Sequence, residues 1–561
     1  SGRHGGVFVI TAIVREGKYR EALTAIFSEI RKVAERGVRP EEVSKVKSDL
    51  IREKQKEEMK VENAAMELGY YEALSDYALQ EKYYDGLRRV IETDMKAMAG
   101  KYLRPLRAGI SFYYPEKSAS EFRKLMDAEA VKKLVAPEGE PAKKSVKEGP
   151  SMRTLGNGIT LIHKKMDNAD IVAVKFIFTG GVMYEGSAFG GAYRGITNLM
   201  QETMLKGTKK KDAAEVAENI DRLGVVLSKD ISKDKFGWSA EMVSANFEPF
   251  MELFAEILLE PAFSLKEIKK EKENIINDLN RLKDSPAAYC MKIFNEEFFE
   301  WHPYGFYSAG SPETVKSIPA QRLSEWHDRY INSENLIISV AGNIDADYAA
   351  EITAKKLGAM KKGDKMKAGL PVKITRAKRE IREKIDKNQS HVVIGFLGPK
   401  MGSEDYYSFR VLDTVLSGGM DSRLFSEIRD KKNLCYTIYS TFDRYVENGA
   451  FKIYAATSPE NEKKLISEIF ALLHELRDKG ITEKELMTAK TYIGGMFRIG
   501  FQDYMSQAES YGMYEFWGMG YKRVDTFLDR INNVTKADVN DVIRRYIDLD
   551  RYTQVVAGPA K

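Results

Sequence analysis

The chain has 561 residues, which at roughly 150 residues per domain predicts three or four domains. Hydrophobic residues make up 43% and charged residues 30%, a balance typical of globular protein rather than of a disordered tail. The net charge of +5 is too small to indicate a nucleic-acid partner. No apolar run approaches the roughly 18 residues that a membrane span requires, so no membrane span is predicted.

Cysteine and histidine usage limits the metal chemistry of the chain. Cys290 and Cys435 are the two cysteines, which excludes a disulfide framework and a Cys-based zinc cluster. No two of the six histidines stand three or four residues apart, so no pair has the spacing of helical metal ligands. The chain begins with Ser1 and no signal peptide is evident, so the sequence leaves the compartment open.

An internal repeat predicts the fold class. Residues 5–43 align without a gap on residues 448–486, and both have a strand, a turn, an amphipathic helix and a terminating glycine. The closing segment at 329–344 parallels the one at 545–560. We therefore expect an α+β protein in which similar domains, each a mostly antiparallel sheet with helices packed on it, occur several times.

Two polar stretches divide the chain into units. The segment 136–150 is rich in proline and charge, as an exposed connector is, and a second shift in composition precedes the strand at 391–399. The predicted layout is a unit at 1–135 that lacks its front part, a linker at 136–150, a unit at 151–362, a linker at 363–371 and a unit at 372–561. An incomplete unit at residue 1 predicts that a preceding half belongs to the same protein.

Local signals predict the elements of the unit at 151–362. Asn157-Gly158 between apolar runs indicates a hairpin turn, and 171–181 is a nearly continuous apolar strand. A glycine-rich passage leads to a helix at 195–208, and Ser264 with Glu267 predicts the capped start of a later helix.

The unit at 372–561 contains a helix-to-strand junction and an aromatic stretch. SRLFSEIR (422–429) predicts a helix and YTIYSTF (436–442) a strand. The stretch YGMYEFWGMGY (511–521) could form a ligand platform, but helix packing is favoured because LGYYEALSDY (68–77) aligns with it.

Several motifs, in a matching order and spacing, resemble the pitrilysin/insulinase family of zinc metallopeptidases. They are TLGNGITLIHKK (154–165), FTGGVMYEG (178–186), GITNLMQETMLKGT (195–208), EKENIINDLNRLKDSP (271–286) and SGGMDSRLFSEIRDKKNLCYTIYSTF (417–442). The resemblance implies four related α+β domains in two halves that enclose a chamber. On that plan, this chain holds the back of domain two, then domain three and domain four.

The metal motif is where the sequence departs from the family. Zinc-binding members carry H-x-x-E-H on a helix, with two imidazoles one turn apart, a glutamate base between them and an acidic ligand on a following helix. The matching positions here are Asn198, Gln201, Glu202 and Asp278. The resemblance thus implies that zinc belongs to the missing N-terminal half and that this chain has no metal ligands. A hard cation held by Glu202 and Asp278 is the less favoured alternative to hydrogen-bonded polar remnants.

An arginine and a tyrosine seven residues apart, Arg429 and Tyr436, match a pair that catalytic family members supply from the second domain type. The resemblance implies that Arg429 binds a substrate carbonyl and that the Tyr436 hydroxyl donates to the oxyanion. The alternative is a surface ion-pairing arginine and a half-buried strand tyrosine.

The sequence therefore predicts the C-terminal, substrate-handling half of a zinc metalloendopeptidase, with a peptide as substrate and the N-terminal catalytic half as partner. Alone, the chain is expected to be inactive. The alternative is a structural or peptide-binding subunit of the same fold, as in processing peptidases or respiratory core proteins. An intact H-x-x-E-H helix in the missing half would distinguish the two.

Overall fold

The structure, a computed structural model, describes residues 37–58, 79–102, 149–167, 169–366 and 378–559, with a few single residues between them. Most of residues 5–36 of the first repeat copy and most of the linker at 136–150 lie outside the described residues.

In the described part of the chain, three helices precede the first sheet: α1 (Pro40–Glu58), α2 (Leu79–Arg89) and α3 (Glu92–Tyr102). The next part, which we call unit one, contains β1 (Ser151–Thr154), β2 (Thr160–Lys165), β3 (Ile171–Thr179), α4 (Val182–Phe189), α5 (Ile196–Met204), α6 (Ala213–Arg222), β4 (Val226–Ile231), β5 (Lys235–Val243), α7 (Phe247–Leu259), α8 (Leu265–Arg281), α9 (Pro286–Phe299), α10 (Pro312–Ser317), α11 (Ala320–Tyr330), β6 (Leu336–Gly342) and α12 (Ala346–Leu357).

The last part, unit two, contains β7 (Arg379–Lys384), β8 (Ser390–Gly398), α13 (Asp405–Ser417), a π-helix (Leu424–Asp430), β9 (Thr437–Asp443), β10 (Gly449–Thr457), α14 (Glu462–Lys479), α15 (Glu483–Gly500), α16 (Tyr504–Phe516), α17 (Phe527–Asn533), α18 (Lys536–Tyr546) and β11 (Thr553–Gly558).

Apart from the additional edge strand β1 of unit one, the sheets of the two units have the same strand order. The six-stranded sheet of unit one has the order β1-β2-β6-β3-β5-β4, and the five-stranded sheet of unit two has the order β7-β11-β8-β10-β9. In each sheet the closing strand, β6 or β11, is parallel to one neighbour and antiparallel to the other. All other pairs are antiparallel. The predicted α+β class with mostly antiparallel sheets is confirmed.

Local chemistry accounts for the elements that the sequence predicted. β3 and β5 are buried along nearly their whole length, because helices cover both faces of the sheet. The Asn157-Gly158 turn joins β1 to β2, with Gly158 at φ 106°. The Ser264 hydroxyl accepts a hydrogen bond from the Glu267 backbone N–H and caps α8.

Each unit contributes one helix that packs on the sheet of the other unit. Helix α16 of unit two packs on β3 and β6, and helix α9 of unit one packs on β8 and β11. Both crossings require a glycine: a Cβ at Gly512 would lie 2.8 Å from Ile177 Cδ1, and one at Gly395 would lie 2.3 Å from the Phe294 ring. The aromatic stretch that could have formed a ligand platform is therefore helix packing, as the sequence favoured.

The N-terminal helices contact unit one through α1. Arg52 is buried, and its guanidinium donates to the carbonyl oxygen of Gly224 and to Asp49 Oδ1. Lys45 forms an ion pair with Asp221 at the end of α6. This contact places α1 beside the turn that leads into β4.

Candidate functional site

Helix α5 carries the three positions at which the metal motif is altered. It starts at Gly195, whose φ of 91° favours glycine. The carboxylate of Glu185, which is fully buried, accepts hydrogen bonds from the backbone N–H groups of Gly195 (2.8 Å) and Thr197 (3.1 Å). Burial raises the pKa of Glu185, and these N–H donors act in the opposite direction. Glu185 therefore fixes the start of α5, a role that sequence analysis did not identify.

A lysine ammonium lies between the two positions that match the imidazole ligands. Lys229, on the edge strand β4, donates from Nζ to Asn198 Oδ1 at 3.0 Å and to Glu202 Oε1. The Asn198 side chain is buried, and the side chain of Glu202 is 26% exposed. Because positions 198 and 202 share one face of the helix, a single cation reaches both. In this chain the cation between the two positions is the ammonium group of Lys229.

The residue at the position of the catalytic base acts as a tether. Gln201 is fully buried, and its Nε2 donates to the carbonyl oxygens of Gly237 (2.8 Å) and Asp230 (3.3 Å). Its Oε1 accepts no hydrogen bond within the part of the chain that the structure describes. All three altered positions of α5 are thus bound to the hairpin formed by β4 and β5.

The predicted fourth position takes no part in this arrangement. The side chain of Asp278 on α8 is 78% exposed, and its ion-pair partner is Arg281 on the same helix, 3.8 Å away. The structure therefore gives no support to a cation shared by Glu202 and Asp278.

Arg429 and Tyr436 lie at the junction that the sequence predicted, but the helix there is wound differently. Residues Leu424–Asp430 form a π-helix, in which the Lys431 N–H donates to the Ser426 carbonyl oxygen, five residues back, at 3.0 Å. Propensity does not distinguish an α-helix from a π-helix, and π-helices occur frequently at functional sites. The wider turn ends in Asn433 at φ 55°, after which the chain enters β9.

Both predicted side chains are exposed. Tyr436 is 83% exposed, and its hydroxyl makes no hydrogen bond with the described part of the chain. The Arg429 guanidinium lies 4.6 Å from the centre of the Phe425 ring, so it packs on its own helix. Burial raises the pKa of the intervening Cys435 thiol to about 11, an effect that the charge of Arg429 opposes. The raised pKa favours the protonated thiol at neutral pH.

A second arginine, Arg423, anchors the segment that carries the pair. Its guanidinium donates to both carboxylate oxygens of Glu485 (2.5 and 2.9 Å) and to the Gly480 carbonyl oxygen (3.0 Å). Burial alone would raise the pKa of Glu485, but the hydrogen bonds from Arg423 and Thr482 lower it to about 2. Sequence analysis used Arg423 only as part of a matching motif.

The two hairpins β4–β5 and β9–β10 meet at their tips. Asp234 accepts hydrogen bonds from the Val446 N–H (2.7 Å) and from the Tyr304 hydroxyl (3.3 Å), and burial raises its pKa to about 6. Beside this contact is a cleft of about 590 Å³, lined by the β4–β5 turn, the end of β9 and helix α16. Its carboxylates include Asp443 and Glu509, which pair with lysines of the sheets.

Comparisons with known proteins agree with this architecture. The model of the insulinase family (peptidase family M16) matches residues 161–306, and the model of the peptidase M16 inactive domain matches residues 317–493. The uncharacterized zinc protease YmxG of Bacillus subtilis is 26% identical over 407 residues, which cover 72% of this chain and 98% of that protein. An uncharacterized zinc protease of Rickettsia felis is 27% identical over 416 residues, covering 74% and 98%.

Solved structures show the same fold. The peptidase M16 inactive domain from Pseudomonas fluorescens superposes with a TM-score of 0.69 at 22% identity, covering 74% of this chain and 99% of that one. A protease from Helicobacter pylori gives 0.68 at 20% identity, covering 74% and 100%. A chain of complex III from Candida albicans gives 0.62 at 15% identity, covering 73% and 95%.

The names of the relatives imply zinc, but the residues at the matching positions do not fit a zinc ion. The ammonium of Lys229 fills the space between positions 198 and 202, and an amide replaces the base. Within residues 37–58, 79–102, 149–366 and 378–559, leaving out those not described, no group of three or more His, Cys, Asp or Glu could hold a metal ion. The same part of the chain has no helix with the length and apolar character of a membrane span.

Proposed function

The chain belongs to the insulinase family of peptidases, peptidase family M16, and from this premise we propose its function. It is the substrate-handling half of a zinc-dependent metalloendopeptidase that hydrolyses peptides in an enclosed chamber. The N-terminal half of the same protein supplies the zinc ligands and the base, because the positions for them in this chain hold Asn198, Gln201 and Glu202, which are bound to Lys229 and to the β4–β5 hairpin.

The observation that carries the proposal is the exposure of Tyr436 at the end of the π-helix. A buried tyrosine usually pairs its hydroxyl, whereas this one is presented to solvent with its hydroxyl available. The hydroxyl donates to the oxyanion that develops on the peptide carbonyl, and Arg429 binds a neighbouring substrate carbonyl. Neither residue needs to touch a metal for these roles.

The second candidate is a structural or peptide-binding subunit without a catalytic partner. The contacts of Lys229 with Asn198 and Glu202 are equally compatible with this candidate, because contacts that stabilise the fold serve either function. The two candidates differ in what Tyr436 does to turnover.

The experiment uses the enzyme assembled from this chain and an M16 half with an intact H-x-x-E-H helix, with a quenched peptide as substrate. One oxyanion donor is worth on the order of 10²–10³ in kcat in a well-packed site, and water in a chamber replaces part of it. We expect Tyr436→Phe to lower kcat by roughly tenfold or more, and Arg429→Ala to raise KM because a carbonyl clamp acts on substrate and transition state alike.

Tyr348→Phe is the matched control, because Tyr348 is a partly exposed tyrosine on α12, outside the proposed site. It should leave kcat near the parental value, and zinc content should be unchanged in all three variants. Near-parental kcat for Tyr436→Phe would favour the structural or peptide-binding subunit.

The chain alone, dialysed against zinc, should hold no stoichiometric metal and cleave no peptide; one tightly bound zinc lost on Asp278→Ala would contradict this.

A further inference from the structure

The two sheets have four edge strands in the described part of the chain, and three of them carry charges that discourage pairing with another strand. β7 has five charged residues out of six, β1 has Arg153, and β4 has Lys229 and Asp230 in its interior. β9 has the sequence TIYSTFD, without lysine or proline and with its single charge at the last residue. β9 is therefore the edge without the usual protection.

The side chains of β9 leave its free edge accessible. Ile438 and Phe442 are buried, and the Ser440 hydroxyl donates to Asp413 Oδ1 of α13 at 2.7 Å, so this face of the strand is packed. On the other face Thr437 is exposed, and Tyr439 packs beside Tyr454 with ring centres 5.1 Å apart. Among the described residues, β10 is the only strand that pairs with β9.

Both ends of β9 adjoin features suited to a peptide. Tyr436 precedes the first residue of the strand, and Arg429 lies at the end of the helix before it. At the other end, Phe442 and Asp443 line the cleft of about 590 Å³ between the units. A strand of seven residues spans roughly 23 Å, enough for a paired segment of similar length.

We propose that β9 binds an extended segment of the substrate peptide by strand addition, with backbone N–H and C=O groups pairing along its free edge. This inference deepens the proposed function and rests on it for the identity of the occupant as substrate. Backbone pairing recognises an unfolded chain with little regard to sequence, while alternate side chains lie beside Thr437 and Tyr439. The substrate class is thus an unstructured peptide with small, β-branched or aromatic residues at alternate positions.

The test exploits the alternation of hydrogen bonds in strand pairing. The probe is a fluorescein-labelled decapeptide of alternating threonine and valine with a lysine at each end, and binding to the full chain is measured by fluorescence anisotropy. In two further probes, two amide nitrogens are methylated, either both at odd or both at even positions. Only one of these sets faces β9. We expect one methylated probe to bind about tenfold or more weakly, since two hydrogen bonds are lost, and the other to bind like the parent.

Hydrogen exchange resolved to single residues locates the probe. On binding, alternate amides within Thr437–Asp443 should become protected. Tyr439→Lys, which gives β9 a charge like those of the other edges, should weaken binding of the lysine-flanked probe. Val226→Lys, at an exposed position of edge strand β4, is the matched control and should leave binding unchanged.

Each other outcome overturns the inference. These outcomes are no binding of the parent probe, equal affinities for the two methylated probes, or protection elsewhere than β9. Protection of β9 in the free chain that depends on protein concentration would identify a second copy of the chain as the occupant. Protection that is independent of concentration and unchanged by the probe would identify a segment of the chain itself. The kinetic effect of Tyr436→Phe is independent of all these results, so failure of strand addition and failure of the proposed function are distinguishable.

Discussion

Gln201→Glu restores the residue type that a catalytic base requires, and we predict that it destabilises unit one instead of preparing it for catalysis. The amide Nε2 of Gln201 donates to two backbone carbonyl oxygens in a fully buried site. A carboxylate there would face both oxygens without a donor. Loss of the two hydrogen bonds costs about 1–3 kcal/mol. Burial of the carboxyl group raises its pKa by roughly 3 units, or about 4 kcal/mol at pH 7 if it ionises.

The destabilisation of Gln201→Glu should depend on pH in a defined direction. Because the pKa in the folded state is raised, the folded variant binds a proton more tightly than the unfolded chain does. The free energy of unfolding should therefore recover as the pH falls from about 7 towards about 5, where the neutral carboxyl can donate one hydrogen bond. Gln201→Met is the control: it loses the same two hydrogen bonds without a charge, so its deficit of about 1–3 kcal/mol should not change over this range.

Urea unfolding followed by tryptophan fluorescence measures both variants, because Trp238 and Trp326 are fully buried in unit one. A Gln201→Glu protein within about 0.5 kcal/mol of the parent at pH 7, a difference typical of surface substitutions, would refute the assignment of Gln201 as a buried tether. A deficit that equals that of Gln201→Met at every pH would refute the electrostatic part of the reasoning.

Three further predictions concern charged contacts. In a double-mutant cycle of Lys229→Met and Glu202→Gln, we expect a coupling free energy of about 1 kcal/mol that falls with added salt, because both side chains are partly exposed. Additive effects of the two substitutions on the free energy of unfolding would show that the Lys229–Glu202 ion pair does not form. Asp234→Asn should abolish a gain in stability that the parent shows as the pH falls from about 6 to about 4, since burial raises the pKa of this carboxyl to about 6; chemical denaturation across that range measures it. Arg423→Met should remove up to about 2 kcal/mol at neutral pH, because Arg423 supplies part of the hydrogen bonding that lowers the pKa of Glu485 to about 2 and Thr482 supplies the rest. The difference from the parent should shrink as the pH falls through about 4.5 to 2, and thermal melts at pH 7 and pH 2.5 test this.

The sequence predicted what depends on near neighbours. A nearly continuous apolar run predicted β3, Asn157-Gly158 predicted the turn before it, and Ser264 with Glu267 predicted the start of α8. The repeat predicted that similar units with equivalent closing segments recur along the chain. The matching motifs predicted the family and placed Arg429 and Tyr436 at a helix-to-strand junction.

The contacts that define the candidate site depend on residues far apart in the chain, and local patterns carry no signal for them. Lys229 is 27 residues from Glu202 and lies in a short, mostly exposed strand, so its pairing with the altered metal positions follows only from the register of β4 on β5. The contact between Asp234 and Val446 spans 212 residues.

The equivalent strands β4 and β9 differ in charge and in packing. Each is the outer strand of a hairpin at the edge of its sheet. In unit one, Lys229 and Gln201 bind the β4–β5 hairpin to α5. The edge strand β4, which lies beside the positions that match the metal motif, is therefore charged and held on the helix. In unit two, the π-helix precedes β9, the outer strand of the equivalent hairpin; Tyr436 between them is exposed, and the single charge of the strand is at its last residue, Asp443. The hairpin tips meet at Asp234, so a change in either unit alters the support of the other. A peptide that pairs with β9 would therefore end at the cleft between the units. The opposite wall of this cleft is the β4–β5 turn, and the contacts of Lys229 and Gln201 hold its hairpin on α5.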